Sequence, residues 1–213
     1  MRKSQKFMLT SVLLAVIVML TVMPTLSWLS STSEPVVNTF AGGAISIKLD
    51  EAFVDTNGKK VTGEDAKRVN ANNYKYVAGA VLDKDPTPTV LKGSEECYVF
   101  LLVENGLNDK FTMNYATDAW LKVAESGGNT VYAYSTKVNA LESTEDIALK
   151  PIFTTVTISP ELTKADIESL GERKLCVTAF AVQTANIDVA TATDLAVKQF
   201  GLGDVTITVP PIA

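Results

Sequence analysis

The chain has 213 residues, 46% of them hydrophobic, with 24 acidic and 19 basic side chains, two cysteines and no histidine. This suits one globular domain and is too apolar for a disordered chain. With no imidazole, neither Ser-His-Asp and Cys-His nucleophilic sites nor the histidine-ligated zinc site of metalloproteases can be built, which excludes much of hydrolase chemistry.

Met1 to Lys6 is a basic stretch, Phe7 to Met23 is almost wholly apolar, and Pro24 precedes the small residues Thr25 and Ser27. That order is the layout of a secretory signal helix, with cleavage predicted between Ser27 and Trp28. A retained anchor is the rival reading, and the apolar run falls just short of the ~20 residues that span a bilayer comfortably. Cleavage removes three of the 19 basic groups and none of the 24 acidic ones, leaving a formal charge of −8. Such a surface repels phosphate backbones and anionic lipid, so no nucleic-acid partner is expected, and membrane contact only before cleavage. Three segments follow: a signal peptide over 1–27, an extended N-terminal arm over 28–43, and a folded domain over 44–213. A domain of that size buries about 70% of the surface its unfolded chain exposes and needs no disulfide scaffold.

Along the domain, Ile45, Ile47 and Leu49 alternate with Ser46, Lys48 and Asp50, which predicts a half-buried strand. Asp55-Thr56-Asn57-Gly58 reads as a tight hairpin turn rather than the start of a calcium loop, because the later acidic ligands are missing. Between Lys84 and Leu91, Pro86 and Pro88 stand two apart, so their missing N–H groups lie on one side of an extended chain; this predicts an edge strand with that side facing outward. Cys97 to Val103 is continuously apolar, as expected of a strand covered on both faces. Phe111–Tyr115, Thr130–Ser135, Ile152–Ile158 and Leu175–Val182 are further strand-like runs. Short helices are predicted over Thr163–Leu170, capped by Thr163 and closed at Gly171, and over about Val189–Phe200, closed at Gly201. Val205, Ile207 and Val209 alternate with threonines and predict a last strand. Many short strands in one domain pack most economically as a mainly β, antiparallel sandwich.

No catalytic, cofactor-binding or metal-ligating set stands out, and the chain does not read as an enzyme. The pairs Asp50-Glu51, Glu64-Asp65, Glu95-Glu96 and Glu145-Asp146 are adjacent residues, which point to opposite faces of a strand and cannot flank one bond; they read as solvating groups. Gly42-Gly43 and Gly127-Gly128 lack the lysine and the following helix of a phosphate loop and read as turns. A calcium site of oxygen ligands stays open, although no loop has its spacing. Six tyrosines could line a carbohydrate-binding face, or pack across strands. Cys97 and Cys176 could form a disulfide in an oxidising exterior, or remain two small buried hydrophobes.

Several stretches carry a resemblance. Thr25-Leu26-Ser27-Trp28-Leu29 followed by Asn38-Thr39-Phe40-Ala41-Gly42-Gly43 and Ala44 to Glu51 is similar to the amino-terminal signature of Gram-positive proteins processed by the SipW-type signal peptidase, the family of TasA and the camelysin (CalY) group. Ser30 or Ser31 stands where an aspartate is usual after the processing site. The resemblance continues through Lys84 to Val90, Gly93 to Val99 and Val177 to Gln183. It implies a jelly-roll sandwich exported to the cell surface or extracellular matrix, polymerising head to tail, with itself and related matrix proteins as partners, into biofilm fibres. In that precedent an N-terminal strand freed by cleavage inserts into the next subunit's sheet, with Trp28, Val36 and Phe40 as the pocket-filling contacts here. The alternatives are a surface adhesin or carbohydrate-binding module and, more distantly, a camelysin-like metalloprotease, which the absence of histidine opposes.

Overall fold

The computed structural model describes residues 39–40, 45–170 and 174–212. Over these the chain is mainly β, with antiparallel pairing and two short helices. In chain order the strands are β1 (Thr39–Phe40), β2 (Ile45–Ala52), β3 (Arg68–Val69), β4 (Val81–Asp83), β5 (Thr87–Val90) and β6 (Cys97–Asn105). They continue with β7 (Phe111–Met113), β8 (Trp120–Ser126), β9 (Asn129–Tyr134), β10 (Ile147–Ala148), β11 (Thr155–Ile158) and β12 (Leu175–Gln183). The helices are α1 (Lys164–Leu170) and α2 (Val189–Gln199).

One sheet has the order β12-β6-β9-β8, a second β1-β2-β5-β10 with β3 also on β2, and a third β4-β11-β7. The second and third run into each other, because only Lys84 to Pro86 separates β4 from β5 and the chain from β10 to β11 passes back alongside. Leu149 N–H donates to the Pro88 carbonyl and Lys84 N–H to the Thr154 carbonyl. The two registers, Ala148 opposite Thr89 and Thr155 opposite Asp83, differ by one residue, which marks an irregularity at Pro86 where the strand changes sheet.

Strand β6 organises the packing. Its odd residues, Cys97, Val99, Leu101 and Val103, meet Ile45, Ile47 and Val90 of the facing sheet, together with Trp120, Ile152 and Phe153. Its even residues, Tyr98, Phe100 and Leu102, pack against Phe180, Val182 and Val131 and beneath Ala192, Ala196 and Val197 of α2. The sequence Cys97 to Val103 is therefore buried on both faces, as its unbroken apolarity requires. Each large side chain so buried contributes roughly 1.5–3 kcal/mol of transfer free energy. Trp120 is enclosed without an orphaned donor, its indole N–H reaching the Lys150 carbonyl at 2.8 Å.

Both helices begin at side-chain caps. Thr163 Oγ1 accepts from Asp166 N–H at 3.2 Å while the Asp166 carboxylate accepts from Thr163 N–H at 2.8 Å, a reciprocal box ahead of α1. Asp188 accepts from Thr191 N–H at 2.7 Å at the start of α2, and Gly201, at φ 69°, ends it. The predicted closure of α1 at Gly171 lies outside the described residues. In the Asp55 to Gly58 turn only Gly58 takes a positive φ, 72°, and the Asp55 carboxylate gathers the N–H groups of Asn57 and Lys59, each at 2.8 Å. Gly127 and Gly128, at φ 58° and 88°, make the paired left-handed turn between β8 and β9.

Two expectations are corrected. The Pro86–Pro88 strand is not an edge: β5 lies between β2 and β10. Leu49 opposite Pro88 is a non-hydrogen-bonded pair, so the proline nitrogens face the returning chain, which needs only the carbonyls: Leu149 and Ile152 donate to Pro88 and Pro86 at 2.9 and 3.4 Å. The prolines sit in the middle because the returning chain bonds to them through their carbonyls, and the Ile152 carbonyl takes its donor from Ala116 N–H at 2.8 Å instead. The Val205–Val209 segment is not a strand. Val205 and Ile207 do turn toward the core as their alternation predicts, but β8 is irregular between Lys122 and Ala124, and the segment holds to it where Thr208 N–H meets the Val123 carbonyl at 2.8 Å.

Candidate functional site

A network of charged and polar side chains is gathered where β2 passes the β4–β5 junction. Asp50 and Glu51 are neighbours on β2 and so face opposite ways. Asp50 turns to Arg68, whose Nε lies 2.7 Å from Oδ1 and whose Nη2 donates to the Asp50 carbonyl. Glu51 turns inward and is 4% exposed, with Lys84 Nζ 2.6 Å from Oε2 and Asn72 Nδ2 3.0 Å from Oε1. The reading of Asp50-Glu51 as a solvating pair is thus corrected for Glu51. The signal was in the sequence, since Glu51 continues the parity of Ile45, Ile47 and Leu49.

Neighbouring groups hold this arrangement. Asn72 also donates to the Ala52 carbonyl at 2.8 Å and accepts from Val54 N–H at 3.1 Å, so its carboxamide is fixed in orientation. Tyr74 donates to the Asp83 carbonyl, and its ring lies 5.5 Å from Lys84 Nζ. Burial, with the Glu51 charge second, raises the Tyr74 phenol above its usual range. Asp85 accepts from Ala52 N–H at 2.6 Å and from Arg68 Nη1 at 3.1 Å, and Lys60 Nζ lies 3.6 Å away. An open cleft of about 430 Å³ adjoins the junction, walled by Lys60, Asp83, Asp85 and Thr154. The carboxylates are matched by cations rather than by one another, and no three His, Cys, Asp or Glu side chains among the described residues form a metal-binding group.

Of the predicted site residues, the cleavage pair Ser27 and Trp28, and Val36 of the arm, lie outside the described residues. Phe40 belongs to β1, whose two residues pair with β2 of the same chain, Phe40 opposite Ile45 and Thr39 opposite Ser46. The arm therefore joins the sheet before residue 43. On the same side of β2, β3 pairs with Glu51 and Ala52; Ile47 to Asp50 between them are paired with β5, and no described strand lies on their other side. Cys97 and Cys176 are both free. In the β6–β12 register Cys97 stands opposite Gln183 and Cys176 opposite Glu104, so they occupy opposite ends and opposite faces of the paired strands. A disulfide needs Cα atoms within about 7 Å, which excludes this bridge. Burial pushes the Cys97 thiol up to about 12, the state of an inert core group.

The tyrosines divide among three clusters: Tyr115, Tyr132 and Tyr134 between the sheets, Tyr98 beneath α2, and Tyr74 and Tyr76 around the third sheet. They are packing groups, with Tyr115 stacked on Tyr132 at 5.5 Å, rather than one aromatic binding face. No protein-family model, curated protein or solved structure matches the chain.

Proposed function

We propose that the chain is a secreted structural subunit of a cell-surface or biofilm matrix fibre, processed by a SipW-type signal peptidase and assembled by lending its N-terminal arm to the next subunit's sheet. The resemblance to the TasA and camelysin group motivates the reading, and the β2 edge is the observation that supports it. There a two-residue strand, β1, and another, β3, leave a four-residue interval, Ile47 to Asp50, with no described strand beside it. A strand added in the β1 register would face that interval, with main-chain hydrogen bonds giving affinity and alternate side chains giving specificity. Head-to-tail use of one edge and one arm makes an open filament rather than a closed dimer. Phe40 serves as a donor only if its own pairing with Ile45 is released; Trp28 to Asn38 is the segment to be lent otherwise.

Negative-stain microscopy of the protein beginning at Trp28 tests this reading. Filaments are expected, and deleting residues 28–38 should abolish them while leaving the domain folded. Monomers at high concentration, unaffected by the deletion, would defeat the proposal.

A further inference from the structure

Glu51, Lys84 and Asn72 form a group that neither catalysis nor assembly has used. The Lys84 and Glu51 side chains are 12% and 5% exposed, so an amine and a carboxylate are held together away from water. Burying such a pair is often no better than burying apolar groups of the same volume, which leaves its presence to be explained. The third member is a carboxamide rather than a second charge. Lys84 Nζ sits on one oxygen of the Glu51 carboxylate at 2.6 Å and Asn72 Nδ2 on the other at 3.0 Å, which makes a nucleophile and an acyl group neighbours on one proton carrier.

We propose that Lys84 and Asn72 join in an intramolecular isopeptide bond whose formation Glu51 promotes. Glu51 takes a proton from the Lys84 ammonium, and the freed lone pair of Nζ adds to Cγ of Asn72. Negative charge then develops on Oδ1, where Val54 N–H already donates at 3.1 Å, the arrangement of an oxyanion donor. Glu51 relays protons from Nζ to Nδ2; the Nζ–Cγ bond forms, the Cγ–Nδ2 bond breaks, and nitrogen leaves as ammonium. Overall, one ammonium and one primary carboxamide become one secondary amide and one ammonium ion, with Glu51 restored and no oxidant or further reactant needed. The Tyr74 ring beside Lys84 Nζ limits the amine's excursion, and the Lys84 backbone is anchored by its N–H to the Thr154 carbonyl at 3.0 Å. The product ties the loop after β3 covalently to the path between β4 and β5. It adds to a secreted subunit's resistance to unfolding and does not depend on whether that subunit polymerises.

Peptide mapping of the folded full chain by mass spectrometry decides the matter. Trypsin acting on unlinked protein yields Val69–Lys75 and Tyr76–Lys84 as separate peptides. The expected result is a branched species, Val69–Lys75 attached to Tyr76–Lys92, uncut after Lys84 and lighter than its two components by one ammonia, with fragment ions placing the junction on Asn72 and Lys84. Glu51→Gln should abolish the branch, and Asn72→Asp should restore one formed with loss of water instead of ammonia. Separate, unmodified peptides from folded protein, in both the native chain and Asn72→Asp, overturn the proposal, leaving a plain buried ion pair. A branch that persists undiminished in Glu51→Gln removes Glu51 from the mechanism and overturns it in that respect.

Discussion

The middle of β6 and the Glu51–Lys84 pair at the junction of β2 with β4 and β5 are both buried, yet they are held by different physics. Around β6 the contacts are apolar on both faces, from Val99 and Leu101 toward one sheet to Phe100 and Leu102 toward α2. Such contacts are non-directional, so size and shape matter and most apolar atoms have interchangeable neighbours. At the junction each polar atom has a named partner: Glu51 its lysine and asparagine, Asp85 its backbone N–H and arginine. Among the described residues no buried side-chain nitrogen or oxygen is left without a hydrogen bond. The first region supplies bulk stability and tolerates rearrangement; the second fixes how one strand passes between two sheets.

Truncation should expose that difference. Phe100→Ala, at a position with no exposure between two strands and α2, should cost about 3–5 kcal/mol in denaturant unfolding, because the enclosing sheet cannot collapse into the space. Phe100→Leu, which keeps more of the buried apolar volume than alanine does, should recover part of it. Glu51→Ala should cost roughly 3 kcal/mol for another reason, since it strands the Lys84 ammonium and an Asn72 donor in a dry setting. Here an apolar residue of similar volume, Glu51→Leu, should rescue little while Lys84 remains. Equal rescue by the apolar replacements at both positions would show that the junction is ordinary core.

The same contrast explains what could be read from the sequence. Apolar periodicity reports burial directly, so β2, the doubly covered β6, β9 and β12 were legible, as were both helix starts through Thr163 and the helix span from Val189. Polar partnership is not periodic. Nothing local to Asn72 or Lys84 announces that they meet across Glu51, for they come from a loop and an inter-strand link and are joined only by the fold. Pro86 and Pro88 misled for a related reason: a missing donor signals an edge only if the neighbouring chain needs one, and that neighbour lies some sixty residues away, at Leu149 and Ile152. β8 was missed because Trp120 to Ser126 mixes Lys122, Glu125 and Ser126 with its buried Trp120 and Val123 across a bulge, which breaks strict alternation.

The smallest effect concerns acid. Nothing in the β6 cluster titrates below neutrality, its one thiol being displaced upward, so the apolar region should be indifferent to falling pH. The start of α2 should respond. The Asp188 carboxyl is held below its usual value chiefly by the Thr191 N–H that it accepts. A folded-state value below the unfolded ~3.9 means that the cap's contribution is complete above that pH and is lost as pH falls through the lower folded value. An NMR titration should therefore show the Asp188 carboxyl carbon with a midpoint under ~3.9, and the Thr191 amide following the same curve. Asp188→Asn keeps an acceptor and should flatten the Thr191 response without unseating the helix. If Asp188 titrates at its ordinary value, or Thr191 ignores it, the cap does not persist in solution, and α2 rests on the even face of β6 through Ala192, Ala196 and Val197 alone.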